Sequence, residues 1–171
     1  MKNACNTVRD WNLEFSGGNE MSLAVNLSGR QLIQDDMVEN IRLILEHTRF
    51  DPHLLNCEVT ETAVIQHKDK AIQVIRELQA MGIRVSSDDF GKGYSSLTYL
   101  QDFNFDTLKI DKDFVQDMGA EGKGLRLVKI MMLLARDFEL EVVAEGVEEL
   151  DQLQRLQVMG CKMIQGYYFS R

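Results

Sequence analysis

The chain has 171 residues, 44% hydrophobic and 27% charged, which suits one globular domain with a sizeable core. Its formal net charge of -8 works against binding a nucleic-acid polymer, which needs Lys and Arg on the phosphates, but leaves room for a small phosphate ligand held through metal ions. No apolar run reaches the roughly 18 residues of a membrane span, no basic-then-apolar leader is present, and Cys5, Cys57 and Cys161 form no CxxC pair. Reduced thiols and a cytoplasmic location are therefore expected, in a parent protein free to be membrane-tethered.

Ala4, Val8 and Trp11 recur at helical spacing over residues 2–13, so the chain opens on a helix that Ser16-Gly-Gly-Asn19 ends. A first strand follows from near Met21. The apolar pattern from Arg30 to His47 predicts one long helix, and Pro52 marks the loop behind it. Further helices are predicted over Lys68 to Ala80, with Gly82 as C-cap, over Lys123 to Arg136, and over Glu149 to Val158, closed by Gly160. Gly91-Lys-Gly-Tyr-Ser-Ser-Leu97 reads as a glycine-containing loop with a short helix after Ser95.

Six short apolar segments alternate with these helices: Leu23 to Asn26, Leu55 to Glu58, Ile83 to Asp89, Thr107 to Lys109, Glu141 to Glu145 and Met163 to Gln165. Strand and helix in alternation argue for an α/β fold of about six parallel strands with crossover helices. An open doubly wound sheet gathers its ligand at one switch point, whereas here every strand ends on a polar residue, which favours a TIM-like (β/α) barrel. A closed barrel typically takes about 250 residues, so this one is expected to be incomplete at its N-terminal side.

Asn26, Glu58, Asp88 and Asp89 offer three carboxylates and an amide, hard oxygen donors suited to Mg²⁺ or Mn²⁺. Neighbouring residues on a regular strand face opposite ways, so Asp88 and Asp89 share a site only if the strand is already turning there. Such a donor set can hold two ions, and paired ions suit phosphodiester hydrolysis. Lys109 adds a cation whose pKa two such ions would lower, fitting it to orient or deprotonate water, and Glu145 and Gln165 complete the ring. Taken singly, a strand-end Asn or Glu is more often a cap, and an Asp pair an ordinary turn. His47, His53 and His67 share no spacing and read as solvated; Met131-Met-Leu-Leu134 reads as helix packing, and Glu148, Glu149 and Asp151 as helix N-terminal charge.

These residues resemble the EAL family of cyclic di-GMP phosphodiesterases. The matching segments are Asn26-Leu-Ser28 with Gln31-Leu32, Glu58-Val-Thr-Glu61, Asp88-Asp-Phe-Gly-Lys-Gly-Tyr-Ser-Ser-Leu97, Leu108-Lys-Ile-Asp111, Glu145-Gly-Val-Glu148 with Gln152, and Gln165-Gly-Tyr-Tyr-Phe-Ser-Arg171. The resemblance implies opening of cyclic di-GMP to linear pGpG. It implies Asn26, Glu58, Asp88 and Asp89 as ligands of two Mg²⁺ or Mn²⁺ ions, with Lys109, Glu145 and Gln165 as catalytic residues. Glu61 is implied as anchor of a dimer-linked loop that includes Phe90, Gly91, Gly93, Tyr94 and Ser95. A homodimer is implied, as is an upstream sensory or GGDEF domain in the parent protein.

Two features depart from the family pattern. Position 92 is Lys where the family usually has Thr, and its side chain is expected to point to solvent. The Glu-Ala-Leu signature, whose Glu is a metal ligand in the family, is missing, so residues 1–171 are expected to be a partial EAL domain without its first strands. The alternatives to an enzyme are an inactive cyclic di-GMP receptor and a protein-interaction module.

Overall fold

Helical and extended stretches alternate along the whole chain, as the apolar pattern requires, in a computed structural model that describes residues 1–15, 20–92, 97–119 and 122–170, with residues 97–99 described by backbone alone. The chain divides into two units, Met1–Ser86 and Ser87–Arg171. The division falls inside one strand.

The first unit opens on α1 (Lys2–Phe15), which buries Cys5 and Val8 rather than Trp11, 48% exposed. Asn12 then pins the incoming strand, donating to the Met21 carbonyl at 2.9 Å and accepting from the Met21 N–H at 2.8 Å. β1 (Leu23–Asn26) leads to Ser28, whose side chain and Gln31 form a capping box over α2 (Gly29–Leu32). The single helix expected over Arg30 to His47 is in fact two, because α3 (Met37–Thr48) starts anew after a turn. Leu32 and Met37 are both buried yet five residues apart, about 140° round a continuous helix, so the chain must break to bury both.

After a 3-10 turn at Pro52–Leu54, β2 (Leu55–Thr60) runs two residues past Glu58, where the apolar pattern had suggested an end. β1 and β2 pair in parallel, Leu23 opposite Leu55 and Asn26 opposite Glu58. A short α4 (Glu61–Gln66), not foreseen, precedes α5 (Lys68–Ala80), which keeps its expected bounds and buries Ala71, Val74, Ile75 and Leu78. β3 (Arg84–Phe90) lies next to β2, and Ser86 Oγ donates to Asn56 Oδ1 at 2.8 Å.

The second unit takes β3 from Ser87 onward, followed by α6 (Leu97–Phe103), β4 (Thr107–Ile110), α7 (Lys112–Gln116) and α8 (Lys123–Asp137), then β5 (Glu141–Ala144), α9 (Leu150–Val158) and β6 (Met163–Ile164). Its strands lie in chain order, with β4–β5 and β5–β6 parallel. All four residues of β4 are buried, the mark of a strand covered on both faces. α8 buries Gly124, Val128, Met131 and Ala135, so Met131 packs inward as its sequence context suggested, while Leu133 is 53% exposed. The α/β class and the parallel strands with crossover helices are thus as the sequence predicts. No helix among the described residues is long and apolar enough to cross a membrane.

All three cysteines are free and buried. Burial pushes the Cys57 thiol up to about 12, helped by the nearby Cys5 and Glu58, and also raises Cys5 and Cys161. Only the thiolate reacts readily. A thiol-reactive dye at pH 8 should therefore label none of the three in the native protein and all three in denaturant; rapid native labelling of Cys57 would contradict this packing.

Candidate functional site

In the first unit, the parallel register sets Asn26, the last residue of β1, opposite Glu58 on β2, and the Leu27 N–H donates to the Glu58 carbonyl at 2.8 Å. Asn26 is exposed and Glu58 buried, so a carboxylate with little access to water stands beside an amide open to it. Glu61, in the first turn of α4, is buried at 2% exposure.

In the second unit the sequence-predicted residues meet around a lysine. Lys109, on the buried strand β4, is 6% exposed. Its ammonium sits 2.7 Å from Glu145 Oε1 and 3.3 Å from Asp88 Oδ1. A buried cation with one carboxylate removed is costly, so the ion-pair geometry fixes the strand ends that carry it. Glu145 follows β5 directly, and its N–H donates to the Ile110 carbonyl at 3.0 Å. The next residue, Gly146, has φ +69, and a Cβ there would lie 2.3 Å from Lys112 Cβ, so glycine alone lets the chain turn behind Glu145. Gln165 joins through its backbone, donating to the Ala144 carbonyl at 2.9 Å and accepting from the Val147 N–H at 3.1 Å. It therefore flanks Glu145 from just past the neighbouring strand β6.

Asp88 and Asp89 part company. Asp89 has φ +54, the turn that two adjacent strand carboxylates need, and it leans on a different group. Lys92 lies 2.8 Å from Asp111 Oδ2, 3.2 Å from Asp113 Oδ2 and 3.5 Å from Asp89 Oδ1. Lys92 is exposed, as expected, with 39% of its side chain accessible, but it also meets three carboxylates that the sequence did not foresee. Asp111 is buried, caps α7 by accepting from the Asp113 N–H at 2.8 Å, and takes Lys92 on its other oxygen. Burial works against its ionisation, but Lys92 and the capping N–H hold its carboxyl below the usual range. Asp89 goes the other way, raised by burial, by its hydrogen bond with Asp111 and by the charge of Asp88.

Asp111 and Lys92 were missing from the sequence-derived site. The signal for Asp111 was the two-residue spacing from Lys109, which puts both on one face of an extended chain. Phe90 is buried, and a Cβ on Gly91 (φ +97) would lie 2.5 Å from Met131 Cε. Gly93, Tyr94 and Ser95 fall outside the described residues. His47, His53 and His67 are exposed, as expected. Gln152 accepts from the Glu148 and Glu149 N–H groups at 2.8 and 3.0 Å, so this acidic cluster opens a helix.

Carboxylate and amide oxygens are the donors a hard divalent cation takes. Among the described residues no three of His, Cys, Asp and Glu close on one metal position. In the second unit the lysine ammonium groups draw the carboxylates instead.

A buried lysine shared by strand-end carboxylates, beside an acid pair on a turning strand, is an arrangement suited to phosphoryl chemistry in an α/β protein. The profile of the EAL domain matches residues 1–171, and the chain belongs to that family. It is 36% identical over its full length to the cyclic di-GMP phosphodiesterase NbdA of Pseudomonas aeruginosa, of which it covers 22%. The PaMucR phosphodiesterase in complex with c-di-GMP superposes with a TM-score of 0.92 at 35% identity, over 99% of this chain and 68% of that one. The calcium and cyclic di-GMP complex of Klebsiella pneumoniae BlrP1 does so with a TM-score of 0.88 at 33% identity, over 99% of this chain and 42% of that one. The fold is that of the TIM-like (β/α) barrel of EAL domains. The chain spans about a fifth of the length of the curated relatives it matches.

The Lys109–Glu145 pair should register as an energetic coupling. In a double-mutant cycle of Lys109→Met and Glu145→Gln, urea unfolding should give a coupling of about 1.5–3 kcal/mol, and additive losses would show the pair to be incidental.

Proposed function

We propose that this chain is the part of an EAL domain that hydrolyses cyclic di-GMP to linear pGpG. The observation that carries the reading is the Lys109 ammonium held between Asp88 and Glu145, on a chain whose relatives NbdA and MucR are named as cyclic di-GMP phosphodiesterases. In this reading Asn26, Glu58, Asp88 and Asp89 supply oxygen donors for two Mg²⁺ or Mn²⁺ ions. The calcium in the BlrP1 complex supports a divalent ion in such a domain. Bound there, the ions would activate water and neutralise charge on the phosphodiester.

The chain's own groups do the rest. Lys109 and Glu145, joined at 2.7 Å, are a donor and an acceptor placed side by side, able to orient one water and pass its proton. Gln165 adds an amide just past the adjacent strand β6. Asp111 keeps Asp89 in place through its hydrogen bond.

The Glu-Ala-Leu triplet does not occur in the 171 residues. Its family glutamate, and the strands around it, would in this reading come from sequence outside them, in line with the 68% of the MucR structure that is covered. Leu127, Ile130 and Leu133, 41–53% exposed at helical spacing on α8, favour a homodimer. MucR is named as a bifunctional diguanylate cyclase and phosphodiesterase, which favours an upstream GGDEF domain here. Three buried, unlinked thiols favour the cytoplasm.

Incubation with cyclic di-GMP and Mn²⁺ should yield pGpG on chromatography, and Glu58→Ala should lower the rate at least about 100-fold. A folded protein that binds the dinucleotide and never releases pGpG would make the chain a receptor instead.

A further inference from the structure

The Lys92 cluster lies beside the proposed metal site and does the opposite job to a ligand. Its ammonium reaches three carboxylates of the second unit, Asp111 at 2.8 Å, Asp113 at 3.2 Å and Asp89 at 3.5 Å. One of these, Asp111, is buried with a relative exposure of 4% and already accepts from a backbone N–H. A second, Asp89, is a donor in the two-ion reading of the site. Lys92 is three residues beyond it, and its N–H donates to the Asp89 carbonyl at 3.3 Å, so the tether is short and local.

We propose that Lys92 is an internal counter-cation, occupying the carboxylate pocket of Asp89 and Asp111, which a divalent ion can enter only by displacing it. The proposal rests on the metal-binding reading of the site. Like charges repel at such distances, so an ammonium held between these carboxylates opposes binding of an ion to them. Lys109 differs: it is buried on β4 between Asp88 and Glu145, whereas Lys92 has 39% of its side chain exposed, on a flexible four-carbon stem. The consequence is a site tuned to weak binding of one ion, responsive to the divalent-cation concentration rather than saturated by it.

The test is Mn²⁺ binding itself, read by loss of the free-ion electron paramagnetic resonance signal, without any turnover. Lys92→Met should tighten the weaker Mn²⁺ site at least tenfold, and Lys92→Arg should stay within about threefold of the wild type. Equal affinities for wild type and Lys92→Met would overturn the proposal alone; no Mn²⁺ binding by either would overturn the metal reading and the proposal with it. A second measurement uses the unaltered protein: saturating Mn²⁺ should raise acylation of Lys92 at least threefold relative to the exposed Lys162, read by peptide mass spectrometry. Unchanged acylation of Lys92 in Mn²⁺-bound protein would contradict displacement.

Discussion

The ammonium of Lys109 is the constraint on which the second unit's active edge depends. A lysine on a strand buried throughout must bring its counter-charges with it, and it takes one from each neighbouring strand, Asp88 on β3 and Glu145 just past β5. Neither acid can shift without leaving a buried charge short of a partner, a loss that generally costs several kcal/mol. The backbone turns directly after each acid, with strain at Asp89, a non-glycine residue at positive φ, and none at Gly146. Asp89 at φ +54 and Gly146 at φ +69 lie directly after the two acids and turn the chain so that the carboxyl groups keep their places.

The architecture was readable because short strand-like segments alternate with helical periodicity, even though β2 and β4, both largely buried, carry Asn56, Glu58 and Lys109 among their apolar residues. Boundaries were harder where two kinds of order compete. Glu58 breaks the apolar pattern of β2, yet the strand continues because backbone pairing, not side-chain polarity, decides its length. The split between α2 and α3 follows from burying Leu32 and Met37 together, a tertiary demand that helical periodicity cannot express. α4 and α7 are too short to carry a periodic signal.

Within the site, the acids at strand ends were legible from their positions, but their partners were not. That Asp88 pairs with Lys109 while Asp89 turns to Asp111 and Lys92 depends on one positive φ. Lys92 was expected at the surface and lies there, but only the location of Asp111 and Asp113 reveals what holds it. The outcome is two lysine–carboxylate clusters, one around the buried Lys109 and one around the partly exposed Lys92.

In the proposed reading the buried charges orient water and phosphate, and the partly exposed Lys92 governs entry of an ion. The most direct measurement is anomalous diffraction at the manganese edge from crystals grown with Mn²⁺ and cyclic di-GMP. The account predicts a manganese peak bonded to the Asp88 and Asp89 carboxylates, with a phosphate of the dinucleotide against it. Bound dinucleotide with no manganese at either carboxylate would contradict it.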